Sequence, residues 1–174
     1  MRRNSNLIDV FLQPGEHFVG DANYRIRTLL GSCVSITLWH PERKIGAMSH
    51  FLLSSRTPVD EISRELDGRY AEESLRLMLQ ELMRLHITPT ECEGKIFGGG
   101  NMFPGQTRAA ARNIGQINGE TARALLRMHR IRVVSESLFG IGHRQVFFDI
   151  SNGEVWARQI KPSENVVLNL KESV

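Results

Sequence analysis

The sequence predicts an α+β fold in which strands outnumber two substantial helices. Three observations carry this expectation. Val34, Ile36 and Leu38 alternate with Ser35, Thr37 and Trp39, the period of two that belongs to a strand. Ala71, Leu75, Met78, Leu79, Leu82 and Met83 fall at helical spacing within Arg69 to His86. Asn152-Gly153 separates Gln145–Ile150 from Glu154–Ile160, and Asn-Gly between two such runs is a strong hairpin signal. An early hairpin precedes any helix, so a simple alternating parallel sheet is not expected.

The elements follow in order. Residues 24–39 carry strand-like apolar runs. His40-Pro41-Glu42-Arg43 is a turn, because proline presets one backbone angle. Ile45 to Leu53 reads as the return strand. Residues 54–68 are polar and contain Pro58, Asp60 and Gly68, hence a loop. The first helix stops before Pro89. Lys95-Ile96-Phe97 is a short strand running into Gly98-Gly99-Gly100-Asn101. That turn lacks the lysine and hydroxyl of a phosphate loop. It reads as a strand end needing positive φ or close approach to a neighbouring strand, with lining of a substrate groove as the alternative. A second helix fits roughly Ile114 to His129, with Ile117, Ala122, Leu125 and Leu126 on its stripe. Arg132 to Leu138 is a strand, and His143 reads as a loop-tip residue.

The chain has 174 residues, 41% hydrophobic and 24% charged. That is the size and balance of one globular domain, with the core expected over about residues 8–160 and a tail over 161–174. No apolar run approaches the ~20 residues of a membrane helix. The N-terminal MRRNSNLIDVFLQPGE has no apolar h-region, so no signal peptide and a cytoplasmic location are expected. The net charge of +3 is spread among mixed signs. Arg64, Arg69, Arg76 and Arg84 alternate with Glu61, Glu65, Glu72, Glu73 and Glu81, the pattern of a solvated helix face. Nucleic-acid binding and membrane insertion are therefore not expected. Two cysteines, Cys33 and Cys92, form neither a disulfide framework nor a zinc site. Cys92, between Glu91 and Glu93, reads as a structural or surface thiol, since acidic neighbours disfavour a thiolate.

The chemistry is expected between Thr28 and His50. With the turn centred between Pro41 and Glu42, Val34, Ile36 and Leu38 oppose Ser49, Ala47 and Ile45. Cys33 then opposes His50 on the other face. A thiol beside an imidazole is a nucleophile with its general base, and a neighbouring imidazolium favours the thiolate. Gly31 lets the backbone turn sharply and a substrate come close, N–H groups at Cys33 or its neighbours suit a developing oxyanion, and Gly31, Ser32 and Ser49 are the substrate or oxyanion candidates. Thr28, Ser32 and Ser49 are candidates to orient the imidazole, and spacing does not choose among them. The plainer alternative is that Cys33 is a small buried hydrophobe and His50 a satisfied structural histidine.

Thr28-Leu29-Leu30-Gly31-Ser32-Cys33-Val34, with His50 seventeen residues after the cysteine, resembles the CheD family of chemoreceptor glutamine deamidases. Further matching stretches are Ile45-Gly46-Ala47-Met48-Ser49-His50-Phe51, Tyr70 opening a helix, Lys95 through Phe103, and Ile114-Gly115 followed by Asn118. The resemblance implies a Cys33–His50–Thr28 triad. It implies hydrolysis of glutamine side-chain amides on methyl-accepting chemotaxis receptors without a metal or organic cofactor. It also implies a layered α/β sandwich of packed mixed sheets with helices outside, similar to the catalytic domain of cytotoxic necrotizing factor toxins. A non-enzymatic adaptor that docks on receptors or on a CheC-type phosphatase is the competing function. Another thiol acyl transfer, such as peptide cleavage or transamidation, is a third.

Overall fold

The computed structural model describes residues 6–57, 65–105 and 109–162. Pro58, Asp60, Glu61, Arg64 and the tail beyond Pro162 lie outside these.

Two mixed sheets stack face to face. One contains β1 (Ile8–Phe11), β3 (Tyr24–Leu30), β8 (His143–Asp149) and β9 (Glu154–Ile160), in the order β1-β3-β8-β9. Its β1–β3 pair is parallel and the others antiparallel. The second contains β2 (His17–Gly20), β4 (Val34–His40), β5 (Ile45–Ser49), β6 (Glu93–Gly98) and β7 (Arg132–Leu138), in the order β2-β5-β4-β6-β7. Here only β6–β7 is parallel. Two helices, α1 (Ala71–Arg84) and α2 (Ala109–Met128), pack on the outer face of the five-stranded sheet. No helix among the described residues is long and apolar enough to cross a membrane.

The layering gives two cores. Val34, Ile36, Leu38, Ala47 and Phe51 face the helices, meeting Leu75, Met78, Leu82, Ala122, Leu125 and Leu126. Ile26, Leu30, Met48, Phe97, Val146 and Phe148 fill the space between the sheets. The strand β4 is central and is covered on both faces, which is why its polar residues Ser35 and Thr37 are also buried. Of the helical stripes, Met83 and Ile117 are exposed, at 61% and 49%, because their positions rotate past the sheet contact.

Several readings change, among them the return strand, which ends at Ser49 rather than Leu53. The run 24–39 is two strands in different sheets, and Gly31-Ser32-Cys33 carries the chain from one to the other. The strands β1 and β2 have four residues each, too few for alternation to register, and neither is expected from the sequence. The edge strand β2 is tied to α1 by His17 Nε2 and Glu81 Oε1, 2.8 Å apart. His143 opens β8 and pairs with Ile160 rather than sitting at a loop tip.

The early hairpin is also in a different register. Leu38 pairs with Ala47 and His40 with Ile45, two residues along from the expected pairing. The connection is the four residues Pro41–Lys44, closed by Lys44 N–H donating to His40 O at 2.9 Å, with Lys44 at φ 50°. Cys33 therefore does not directly oppose His50. A shift of two preserves the faces, however, because side chains alternate with period two.

Candidate active site

Three chain segments meet at His50. Its main chain is pinned on both sides: His50 N–H donates to Glu16 O at 3.0 Å, and Gly15 N–H donates to His50 O at 2.8 Å. The next residue, Phe51, exchanges two hydrogen bonds with Val34, at 3.0 and 3.1 Å. The imidazole shares the inter-sheet face with Met48 and is 2% exposed.

Thr28 reaches this ring from the opposite sheet. Ile26, Thr28 and Leu30 point inward from β3, while Arg27 and Leu29 are exposed between them. The Thr28 hydroxyl donates to Leu12 O at 2.8 Å, and its oxygen lies 2.8 Å from His50 Nδ1. A carbonyl only accepts, so the single hydroxyl proton goes to Leu12. His50 Nδ1 must then carry a proton and donate it to Thr28. The neutral ring consequently presents a bare Nε2. That atom is buried and has no hydrogen-bond partner among the described residues.

Burial pushes His50 down to about 4, against smaller upward contributions from the Leu12 carbonyl and the Glu16 charge. At neutral pH the ring is therefore uncharged. Burial also raises the Cys33 thiol above its ordinary value, partly opposed by the Cys33 N–H beside the sulfur. The resting pair is thiol and imidazole rather than thiolate and imidazolium. This departs from the imidazolium-assisted thiolate expected from sequence.

Cys33 is half-buried and packs against the inter-sheet core. It directly precedes Val34, as His50 directly precedes Phe51, and Val34 pairs with Phe51. Both side chains therefore leave the ribbon on the face opposite Val34, in diagonal positions. Diagonal neighbours lie about 7–8 Å apart along the backbone, within reach of a long side chain. The glycine turn holds the cysteine from the other flank. Gly99 N–H donates to Cys33 O and Gly100 N–H to Gly31 O, each at 2.9 Å. Gly98 has φ 115°, and a Cβ there would stand 2.2 Å from Cys33 O. The expected close approach is present, and it requires glycine.

The remaining candidates separate. Ser49 points to the helix-facing side with Ala47, and its hydroxyl bonds the Ile36 main chain at 3.3 and 3.5 Å. It does not meet the imidazole. Gly31 and Ser32 offer backbone to the crossover, where Ser32 O accepts from Asn118 Nδ2 at 3.1 Å. Cys92 is 3% exposed and pushed up to about 11 by burial, with the Glu91 charge adding to it.

Two buried polar residues near the site went unassigned in the sequence. Asn118 is 1% exposed on α2, and its Nδ2 also donates to Leu52 O at 2.7 Å. Arg144 is 3% exposed on β8; it donates to Gly98 O at 3.0 Å, to Ser137 Oγ at 3.2 Å and to Phe139 O. The available signal was a polar residue standing on an otherwise apolar face, between Gly115 and Ala122 for one and before Val146 and Phe148 for the other. The Leu12 carbonyl had no signal at all, since any residue provides one.

Comparison with known proteins points to one family. The family described as CheD chemotactic sensory transduction matches residues 52–159. A probable chemoreceptor glutamine deamidase CheD 2 of Albidiferax ferrireducens is 62% identical over 162 residues, covering 93% of each chain. A probable chemoreceptor glutamine deamidase CheD 3 of Dechloromonas aromatica is 43% identical, over 87% of this chain and 88% of the relative. A probable chemoreceptor glutamine deamidase CheD 1 of Chromobacterium violaceum is 39% identical, over 89% of this chain and 79% of the relative. With this identity spread over nearly the whole length, the chain belongs to the CheD family.

Proposed function

We propose that this protein is a protein-glutamine amidohydrolase that converts glutamine side chains of chemoreceptors to glutamate, with Cys33 as nucleophile. The observation that carries the reading is the state of His50. Its Nδ1 proton is committed to Thr28, and its bare, buried Nε2 lies on the face that Cys33 shares.

The steps follow from those protonation states. His50 Nε2 takes the thiol proton as Sγ attacks the amide carbon, giving a tetrahedral oxyanion. The imidazolium so formed is transient, and Thr28 with the Leu12 carbonyl behind it accepts its Nδ1–H. Backbone N–H groups around Gly31, Ser32 and Cys33 face the oxyanion. The C–N bond breaks, and His50 returns the proton to the departing nitrogen, which leaves as ammonia. Water, deprotonated by His50, then attacks the thioester. The C–S bond breaks, the thiol is restored, and a glutamate carboxylate remains.

The substrate is a folded helical segment of a methyl-accepting receptor, so the nucleophile works at a shallow surface. A CheC-type phosphatase is a second partner within the same proposal, as is a cytoplasmic location. Kinship of the fold to the catalytic domain of cytotoxic necrotizing factor toxins belongs to it too.

The test is to incubate a receptor cytoplasmic fragment with wild-type protein and with Cys33→Ala. Wild type should release ammonia and add ~1 Da per modified glutamine, because OH replaces NH₂. Cys33→Ala should add nothing. No mass change with wild type, with binding retained, would favour the adaptor reading instead; equal activity in both proteins would remove Cys33.

A further inference from the structure

Asn118 makes an unusual pair of contacts. Its Nδ2 donates to Ser32 O at 3.1 Å and to Leu52 O at 2.7 Å. Both partners are carbonyls, which only accept, so the amide nitrogen and its two protons must face them. One carbonyl belongs to the peptide bond that ends in the Cys33 nitrogen. The other lies two residues beyond His50. A single buried amide thus bridges the two segments that carry the thiol and the imidazole.

The helix comes close enough for this through small residues. A Cβ at Gly115 would stand 2.5 Å from Gly99 O, and one at Gly119 would stand 2.5 Å from the Phe139 ring. The face of α2 that carries Asn118 is therefore pressed against the glycine turn that also holds Cys33.

The peptide plane supplies the consequence. The Ser32–Cys33 peptide bond is trans, so the Ser32 C=O and the Cys33 N–H point in opposite directions. With the carbonyl drawn to α2, the N–H is turned toward the inter-sheet side, where the cysteine side chain lies. Among the described residues nothing else accepts the Cys33 N–H, and it lies beside its own sulfur.

We infer that Asn118 is a positioning residue that holds the Ser32–Cys33 peptide so that the Cys33 N–H faces the oxyanion formed on attack by the thiol. This rests on Cys33 being the nucleophile of the proposed function. Asn118 touches no reacting atom. It acts through the orientation of one N–H, and its second bond holds the His50 segment in the same frame.

The experiment compares two reactions of the same thiol. Acylation of Cys33 by p-nitrophenyl acetate passes through an oxyanion, whereas alkylation by iodoacetamide does not. Cys33→Ala gives the background for each. In Asn118→Leu, acylation should fall about a hundredfold, the cost of losing one oxyanion donor. Alkylation should slow far less, by about fivefold at most, because turning the N–H away removes only its contact with the sulfur while Glu16 and Gly15 still hold the His50 main chain. Asn118→Asp keeps the shape of the side chain and covers the case in which the leucine variant does not fold. Its neutral carboxyl has one proton to donate, so its ratio of acylation to alkylation should recover as the pH falls.

The inference is overturned if the ratio in a folded variant matches wild type, or if both reactions slow together, as a loosened structure would produce. A wild-type thiol that alkylates but does not acylate also overturns it. Receptor deamidation is not among these readouts. A wild-type protein that leaves receptor glutamines intact would count against the proposed substrate and leave this comparison to be decided on its own.

Discussion

The Thr28 hydroxyl oxygen lies 2.8 Å from His50 Nδ1, although Thr28 lies in one sheet and His50 directly follows β5 of the other. The contact joins the sheets at the point where chemistry is proposed, and it determines which imidazole nitrogen is free. Removing the hydroxyl in Thr28→Val leaves both the Leu12 carbonyl and the Nδ1–H unpaired in a buried place. Activity on a receptor fragment should drop about tenfold to a hundredfold through loss of base orientation. Urea unfolding should show a loss of about 1–3 kcal/mol for the unsatisfied groups. Thr28→Ser should retain most of both. Equal activity in the valine and wild-type proteins would detach Thr28 from the reaction.

The pH profile should follow the displaced histidine. His50 must be neutral to accept the thiol proton, and burial holds it down to about 4. The acid limb of kcat/KM should accordingly lie near pH 4 rather than near the ordinary histidine value of 6.5. A limb near 6.5 would mean that the ring is solvated or charged when it works.

Stability should respond to the same group with a defined sign. Between about 4 and 6.5 the unfolded chain carries a proton on this histidine and the folded chain does not. Stability therefore rises with pH across that interval, and acidification from pH 7 to 4 should remove about 3 kcal/mol through His50 alone. His50→Gln should lack this component. Parallel urea midpoints for the two proteins over the range would contradict the assignment.

Gly98→Ala should be more damaging than Gly105→Ala. Both glycines have positive φ, 115° and 105°, so both substitutions meet a backbone penalty of about 1–2 kcal/mol. Only at Gly98 does the new Cβ also collide with Cys33 O; at Gly105 nothing among the described residues lies within 4 Å. The extra strain at Gly98 should cost a further 1–3 kcal/mol or so and should displace Cys33. Thermal melting and iodoacetamide labelling of the two variants measure both effects. Similar melting temperatures would mean that the crossover yields to the added methyl.

Much of the architecture was legible because it is locally periodic. The α1 stripe, the strands β4, β6, β7, β8 and β9, and the Asn152-Gly153 hairpin all announce themselves within windows of a few residues. The second helix begins five residues earlier than Ile114, where Ala109 to Asn113 offers no apolar stripe of its own to mark the start. The strands β1 and β2 were silent because four residues hold two periods at most. Asn118 entered the sequence reading only as part of a family resemblance and Arg144 only as a polar residue in apolar company, with no indication of which carbonyls they would bind.

The chain by itself determined that Cys33 and His50 leave their ribbon on one face. Alternation is a property of each strand, and it survives either hairpin register because the registers differ by two residues. The tertiary structure alone decided that Thr28, and neither Ser32 nor Ser49, meets the imidazole. The physical reason is the crossover at Gly31-Ser32-Cys33, which puts Thr28 in the opposing sheet. Its hydroxyl reaches His50 only because two independently patterned sheets stack with those side chains inward, and that stacking depends on packing across the whole core rather than on any local spacing.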